Sequence, residues 1–318
     1  MKNNTLDEQV PNQYDGEIDL RELFGVLWAG RKKIIAITAV FAVASVVYAL
    51  SVPNQYKATA LLSPAQSSRG GLSGGGLSGA FGQLGGLASL AGVSIGGGES
   101  SEAQVAQEIM KSWSFIEGFI KSNDLAVEVY AAEGWSKSSN SLQINSDLYD
   151  ESNSQWLVKN NETGELGPPS SWNLFKRFLE MLSVSEDKKS GLVSVSIEYY
   201  SPQIAKRWLD LYVAAINGHM QERKMAEVTR NITYLEAQIK KTNIAEMQEV
   251  FYTIIEEQIK SKMLAEASPD YAFVPVSPSM VPEEKSQPKR ALICILGTLL
   301  GGMLSVLWVL VLHYGRAK

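Results

Sequence analysis

The chain has 318 residues, a formal net charge of −5 and 45% hydrophobic residues. So mild a charge, with Lys and Arg scattered along the chain, argues against nucleic-acid binding. The single cysteine, Cys294, excludes an intrachain disulfide framework and a cysteine-based metal site. With only two histidines as well, the residue types that usually act as metal ligands or general bases are scarce.

The first predicted element is a transmembrane helix over residues 34–52, an uncharged apolar run that directly follows Arg31-Lys32-Lys33. As a helix it covers about 28 Å, close to the thickness of the hydrocarbon core. A cleaved signal peptide is the alternative, because Ala-Thr-Ala at 58–60 resembles a cleavage site. The long segment before the apolar run favours a retained anchor. The three basic residues set the orientation and predict that the N-terminal tail, 1–33, is cytoplasmic.

The segment after this span begins with a predicted strand, Gln55–Leu62, and continues into a Gly-rich stretch at 69–98. This stretch contains no Lys, so it lacks the residue that a phosphate-binding loop requires. Two interpretations stay open. The stretch is either a flexible linker or an apolar loop that faces the membrane or the lumen of an assembly.

A mixed α/β base is predicted in the periplasm over residues 53–200. Apolar residues at helical spacing predict helices over 102–121, with Ser100-Ser101 as a plausible N-cap, and over 172–182. Alternation over Leu192–Tyr200 predicts a strand. The combination indicates an α/β membrane protein, in which two transmembrane helices flank this base.

Residues 201–270 are predicted to form long periplasmic helices. Ser201-Pro202 is a favourable helix start, and the helical pattern continues to about 241 and again over 244–267. A modest base cannot bury the whole apolar stripe of so long a helix. We therefore expect a long projecting helix or helical hairpin that contacts neighbouring chains, the alternative being that both helices pack on their own domain. The stripe candidates are Ile232, Leu235, Ile239, Met247, Phe251 and Ile254.

Residues 271–290 are predicted to hold a returning strand and a Pro-rich approach to the membrane, which the prolines keep extended. The prolines of this approach are Pro278, Pro282 and Pro288. A second transmembrane helix follows at 291–314 and returns the short tail, 315–318, to the cytoplasm. Small residues at four-residue intervals in this helix indicate either a packing face or the general frequency of Gly in membrane helices. They are Gly297, Gly301 and Ser305.

The sequence offers no catalytic constellation. Glu256 and Glu257 are adjacent, so their side chains point about 100° apart on a helix and do not converge. His219 has no second His or Cys nearby, and His313 lies at a predicted membrane interface beside a Tyr. We therefore expect no enzymatic activity, no cofactor and no metal site.

Four motifs occur in order along nearly the whole chain. They are Ile18-Asp19-Leu20-Arg21-Glu22-Leu23 before the first span, Pro53 with Tyr56–Leu61, Ser201-Pro202 with Ala205, Trp208 and Tyr212, and Val281–Arg290 before the second span. This ordered set resembles the Wzz-type chain-length determinants, or polysaccharide co-polymerases. The short C-terminal tail looks like that of the kinase-free branch.

The resemblance implies a protein of the bacterial inner membrane that sets the modal chain length of O-antigen or a related lipopolysaccharide-linked glycan. Such proteins are non-catalytic and act with a Wzy-type polymerase on lipid-linked glycan. They form ring-shaped homo-oligomers, here expected to be octamer-sized, with a base near the membrane and long helices in the periplasm. Two alternatives stay open: a two-span periplasmic coiled-coil adaptor for polysaccharide or protein export, and a membrane-bound transferase acting on lipid-linked sugar.

Overall fold

Two separate units make up the chain. The residues that the computed structural model describes are 20–65, 99–160 and 164–316. One unit joins the residues up to Val52 with those from Pro288 onward, and the other is Pro53–Gln287. The Gly-rich stretch 69–98 lies outside the described residues, so neither interpretation of it is decided.

Helices and strands alternate irregularly along the described residues. The helices are α1 (Leu20–Ser51), α2 (Glu99–Lys111), α3 (Trp113–Ser122), α4 (Ala126–Tyr130), α5 (Ser171–Met181), α6 (Pro202–Ile239), α7 (Ala245–Glu266) and α8 (Arg290–Arg316). The strands are β1 (Tyr56–Pro64), β2 (Ala132–Ser136), β3 (Ser141–Ile144), β4 (Tyr149–Asp150), β5 (Gln155–Trp156), β6 (Leu182–Glu186), β7 (Val193–Tyr199) and β8 (Phe273–Ser277).

The first unit is a pair of apolar helices, α1 and α8. Each contains a segment long and apolar enough to span a membrane, Gly25–Ser51 and Arg290–His313, with a mean hydropathy of 2.3 in both. α1 begins at Leu20, well before the predicted start at residue 34, so Arg31-Lys32-Lys33 lies inside the helix and not ahead of it. Lys and Arg are good helix formers, so a hydropathy pattern marks where the apolar span begins, not where the helix begins.

The second unit is built on a four-stranded antiparallel sheet with the strand order β6-β7-β1-β8. The central strand β1 pairs with β7 from Tyr56↔Tyr199 to Leu62↔Val193 and with β8 on its other side. The strands predicted over Gln55–Leu62, over Leu192–Tyr200 and within 271–290 are therefore present, as β1, β7 and β8. Two small hairpins, β2–β3 and β4–β5, lie outside this sheet. Three distant stretches of sequence thus hold one sheet together.

One face of the sheet carries the core of this unit. Buried side chains on that face alternate along the strands and are Ala58, Ala60, Leu62, Val193, Val195 and Ile197. The N-terminal half of α6 covers the face with Trp208, Leu209 and Tyr212, all 0% exposed. The boundary predicted at residue 200 therefore falls inside one unit, because half of the long helix belongs to the core.

Two buried tyrosines connect this core to the surrounding helices. The Tyr199 hydroxyl donates to the backbone carbonyl of Glu128 at 2.6 Å, and the Tyr212 hydroxyl donates to that of Met110. Burial raises the pKa of both phenols, because the ionised form would lose its hydration. Both rings therefore stay neutral in the folded protein well above the pH at which an exposed tyrosine ionises.

The helix predicted over 102–121 is wrong as a single element, because the chain breaks it at Ser112 into α2 and α3. Ser112 has extended backbone angles, φ −75° and ψ 145°, and its hydroxyl accepts from the backbone N–H of Phe115. A serine side chain at this position caps a new helix and so competes with continuation of the old one. The proposed cap Ser100-Ser101 is also wrong, since α2 already begins at Glu99.

The long helices form a hairpin. As predicted, Ser201 caps α6 by accepting from the backbone N–H of Ile204, and Pro202 takes the first helical position. Beyond Met220, Val228 is the one described residue of α6 that is buried. The distal part of α6 therefore leaves the core and has α7 as its companion.

Candidate functional site

Side chains with catalytic potential are dispersed in the described part of the chain. No group of three or more His, Cys, Asp or Glu side chains there is placed to hold a metal ion. His219 is exposed, Cys294 is half-buried in α8, and Glu256 and Glu257 both pair with Lys260. The features that remain as functional candidates are surfaces, namely those of the α6–α7 hairpin and of the α1–α8 pair.

The base of the hairpin is fixed by two amide side chains of α6. Asn217, 2% exposed, donates from Nδ2 to the carbonyl of Phe273 at 2.9 Å. Its Oδ1 accepts from the backbone N–H groups of Phe273 and Ala272 at 2.8 and 3.0 Å. One turn later, Gln221 Nε2 donates to the carbonyl of Ala265 at 2.8 Å, near the end of α7. The end of α7 and the start of β8 are thus both held to α6, at two positions one turn apart.

The predicted oligomerisation stripe divides between two environments. Four of its residues are half-buried, on the sides where α6 and α7 meet: Ile232, Leu235, Ile239 and Phe251. The other two, Met247 and Ile254, are 44% and 40% exposed. Part of the apolar stripe in a hairpin packs in the seam between its own two helices. The hydrophobic pattern of a single helix does not show which part this is.

Two apolar rows remain exposed on α7. The first apolar row is Met247, Val250 and Ile254, with 44%, 56% and 40% of each residue exposed. The second apolar row is Tyr252, Ile259 and Met263, with 59%, 45% and 63% exposed. At about 100° per residue, the rows lie on roughly opposite sides of α7 and flank its seam with α6. Exposed apolar side chains grouped in this way are typical of contact surfaces.

The Pro-rich segment after β8 is held against the rest of its unit at two points. The hydroxyl of Ser279 donates to the carboxylate of Asp210 on α6. Near its end, the backbone N–H of Gln55 donates to the carbonyl of Gln287 at 3.0 Å. The chain therefore enters and leaves this unit at neighbouring positions. The predicted prolines of the approach are Pro278, Pro282 and Pro288, none of them in a helix or strand.

The glycine face of α8 packs against α1 of the same chain. A Cβ built on Gly297 would lie 2.5 Å from the Cβ of Ser45, and one built on Gly301 would collide with Phe41. Larger side chains at these two positions would force the helices apart. Close approach of two helices in lipid depends on small residues of this kind.

Polar groups reinforce the same helix pair. Ser305, the third predicted packing residue, is 0% exposed, and its hydroxyl lies 3.4 Å from that of Thr38. At the opposite end, Arg290 Nε donates to the carbonyl of Ala49 at 3.1 Å. These two contacts fix the register of α1 and α8 over most of their length.

The basic residues assigned to membrane orientation lie on α1. Arg31 lies over the indole ring of Trp28, 4.8 Å from its centroid, while Lys32 and Lys33 are exposed. A cation beside a Trp at the end of an apolar span is an arrangement suited to a membrane interface.

Sequence reasoning missed the hydrogen bonds by which the Asn217 side chain holds β8 at the base of the hairpin, here called the amide clamp. Its signal is a single Asn at position 217, set among apolar residues that the helical pattern places in the core. A buried Asn requires partners for its amide. The sequence does not say which segment supplies them, because the partner strand lies more than fifty residues away, at Phe273.

The comparisons with known proteins point in one direction. Residues 16–123 match the family described as chain length determinant protein, Wzz. The resemblance that the ordered motifs indicated is therefore confirmed over this segment, about a third of the chain. None of the curated proteins matches the chain.

The solved structures that are similar to the chain include two polysaccharide co-polymerases. A full-length bacterial polysaccharide co-polymerase is 14% identical, with a TM-score of 0.39, and the match covers 94% of this chain and 99% of that one. A fragment of WzzB, a polysaccharide co-polymerase from Salmonella Typhimurium, is also 14% identical, with a TM-score of 0.30, and the match covers 74% of this chain and 100% of the fragment.

Proposed function

We propose, with the Wzz family match of residues 16–123 as the premise, that this protein regulates the chain length of a bacterial surface polysaccharide and is not itself a catalyst. The family match is the observation that carries the proposal. The finer assignment is to O-antigen or a related lipopolysaccharide-linked glycan, made by a Wzy-type polymerase from lipid-linked precursors.

The proposed arrangement places α1 and α8 in the inner membrane, with both termini in the cytoplasm and the unit Pro53–Gln287 in the periplasm. Two spans of suitable length and hydropathy support this topology. The basic cluster Arg31-Lys32-Lys33 supports the orientation, because basic residues flanking a span stay on the cytoplasmic side. The Pro-rich segment with Pro278, Pro282 and Pro288 then leads the chain back to the membrane.

The hairpin is proposed to build a ring-shaped homo-oligomer of about eight copies. The first apolar row and the second apolar row lie on opposite sides of α7, so each copy has one apolar side for each of two neighbours. Contacts between unlike surfaces close into a ring when the rotation between copies allows it. The seam residues Ile232, Leu235, Ile239 and Phe251 contribute indirectly, because they hold the two helices together.

A ring of this kind repeats each binding surface once per copy, and this supports a mechanism based on residence time. Either the polymerase or the growing glycan stays bound to the repeated surface. The glycan is extended for as long as this association lasts. Modal length then depends on the stability of that association and needs no catalytic residue in the ring.

The test is a gel of surface polysaccharide from cells with and without this gene, with the polymerase retained. We expect a narrow band of lengths that becomes a broad, random ladder on deletion and returns on complementation. An unchanged ladder would exclude length control and favour the export adaptor. Glycan transfer by the purified protein alone would instead identify a transferase.

A further inference from the structure

A cavity opens at one end of the α1–α8 pair and is not explained by length control. Its volume is about 410 Å³. The residues that line it are Gly25, Val26, Ala29, Gly30, Lys33, Val309, Leu312 and His313. Among these described lining residues there is no Asp or Glu, so they combine apolar surface with the positive charge of Lys33.

Small residues on α1 create this space. At Gly30 the helices still touch, because a Cβ there would lie 2.5 Å from Val309. At Gly25, which lies further towards the start of α1, a Cβ would meet nothing within 4 Å. Val309 therefore fills the space at Gly30, whereas the absence of a side chain at Gly25 leaves the space beside it open.

The cation in this wall is placed where a lipid phosphate would lie. Lys33 is exposed and directly precedes the uncharged run that starts at Ile34, so its ammonium group marks the end of the apolar span. Among the described side chains, no carboxylate forms an ion pair with Lys33. Basic pockets between membrane helices bind anionic headgroups. The other lining residues of α1 precede Lys33, so the cavity lies on the headgroup side of the apolar span.

We propose that this cavity binds the headgroup of one anionic phospholipid, with its phosphate on Lys33 and its acyl chains along the apolar run of α1 that starts at Ile34. The inference rests on the membrane insertion that the proposed function assumes, but not on length control itself. Occupancy would fill the open space beside Gly25 and so stabilise the pair.

Lipid binding is measured on the purified full-length protein in neutral detergent, by native mass spectrometry and by the shift in Tm. Phosphatidylglycerol should bind and raise Tm, whereas phosphatidylcholine should do so at least tenfold more weakly. Gly25→Leu fills the cavity and should lower the apparent affinity for phosphatidylglycerol about tenfold. Gly302→Leu is the matched control, because a Cβ at Gly302 also meets nothing within 4 Å and this residue lies outside the cavity.

The charge is tested with Lys33→Gln, which should weaken phosphatidylglycerol binding about fivefold. Its neighbour Lys32 is exposed but does not line the cavity, so Lys32→Gln should have a clearly smaller effect. Equal binding by the wild type, Gly25→Leu and Lys33→Gln would overturn the proposal, as would equal affinity for the two lipids. Displacement of the lipid by millimolar inorganic phosphate would show that the cavity is a site for free phosphate and not for a phospholipid. Displacement by a polyprenyl pyrophosphate at lower concentration would show that this compound is the occupant instead.

This result is separable from the test of function. Lipid binding is observed on isolated protein and needs no polysaccharide, whereas the gel reports chain length in cells. A random ladder on deletion together with absent lipid binding would overturn the cavity proposal alone. Lipid selectivity with an unchanged ladder would overturn length control alone.

Discussion

The side chain of Asn217 forms hydrogen bonds with both backbone polar groups of Phe273, donating to its carbonyl at 2.9 Å and accepting from its N–H at 2.8 Å. Phe273 is the first residue of β8, and its side chain is 0% exposed. One amide thus joins the middle of the longest helix to the last strand of the sheet, at the level where the hairpin leaves the core.

Asn217→Ala is expected to lower the free energy of unfolding by about 3 kcal/mol, because it leaves the buried N–H of Phe273 and the half-buried N–H of Ala272 without their acceptor. The measurement is thermal unfolding in detergent together with amide hydrogen exchange at Phe273, which should accelerate. Asn231→Ala is the matched control, since Asn231 lies exposed on the same helix. Equal effects of the two substitutions would contradict a special role for the clamp.

Local features of this fold were predictable because their physical causes are local. Ser201 and Pro202 mark a helix start by chemistry confined to one turn, and the alternation of β7 needs no knowledge of its partner strands. The break at Ser112 was also encoded locally. It was missed because the apolar spacing continues across the break and the serine side chain that ends the helix adds no apolar signal.

The remaining features depend on pairings that one sequence does not specify. Periodicity placed Ile239 and Met247 on one stripe, yet the turn between the helices leaves Ile239 half-buried and Met247 exposed. Spacing likewise indicated a small-residue face at Gly297 and Gly301 but not that α1 of the same chain fills it. For the candidate surfaces, the sequence predicted the residue types and the helix faces. Which of these side chains stay exposed is decided by the tertiary fold.

Single charges in the apolar rows of α7 are expected to impair assembly. Val250→Glu in the first row and Ile259→Glu in the second should each cost about 1–2 kcal/mol per contact between copies, because a buried carboxylate would lack a partner there. Light scattering after size-exclusion chromatography in detergent should show smaller particles, and the polysaccharide ladder should broaden.

Thr253→Glu is the matched control for the apolar rows, since it adds the same charge at an exposed position outside both rows. The Thr253 hydroxyl donates to the carbonyl of Glu249 in its own helix. Full-size assemblies for Val250→Glu and Ile259→Glu would remove these rows from the interface. Full-size assemblies with a changed ladder would assign the rows to the polymerase or the glycan.

Gly301→Leu is expected to destabilise the helix pair by about 1–3 kcal/mol, because the new side chain would collide with Phe41. Thermal unfolding in detergent should show a lower Tm for this variant. Gly302→Leu places the same side chain one residue later, where a Cβ meets nothing within 4 Å, and should leave Tm close to wild type. If both variants unfolded alike, close packing at Gly301 would not be what holds the pair together.

The buried phenols of Tyr199 and Tyr212 predict a loss of stability in alkali. Burial raises the pKa of each in the folded protein, whereas in the unfolded chain a tyrosine ionises near pH 10. Below that pH both states are protonated and neither phenol makes stability depend on pH. Above it the unfolded chain releases protons that the folded protein retains, so unfolding becomes more favourable as pH rises. Each buried phenol should contribute a slope of about 1.4 kcal/mol per pH unit.

The measurement of this alkaline slope is the pH dependence of unfolding between about pH 9 and 11. Tyr199→Phe should lower the stability at neutral pH, because the hydrogen bond to the Glu128 carbonyl is lost. It should also make the alkaline pH dependence of the unfolding free energy shallower, because one fewer proton is released on unfolding. Tyr252→Phe is the control, because that ring is 59% exposed on α7 in the folded protein. A Tyr199→Phe variant with the wild-type slope would show that the phenol ionises before the protein unfolds. Burial in the core would then not be what keeps it neutral.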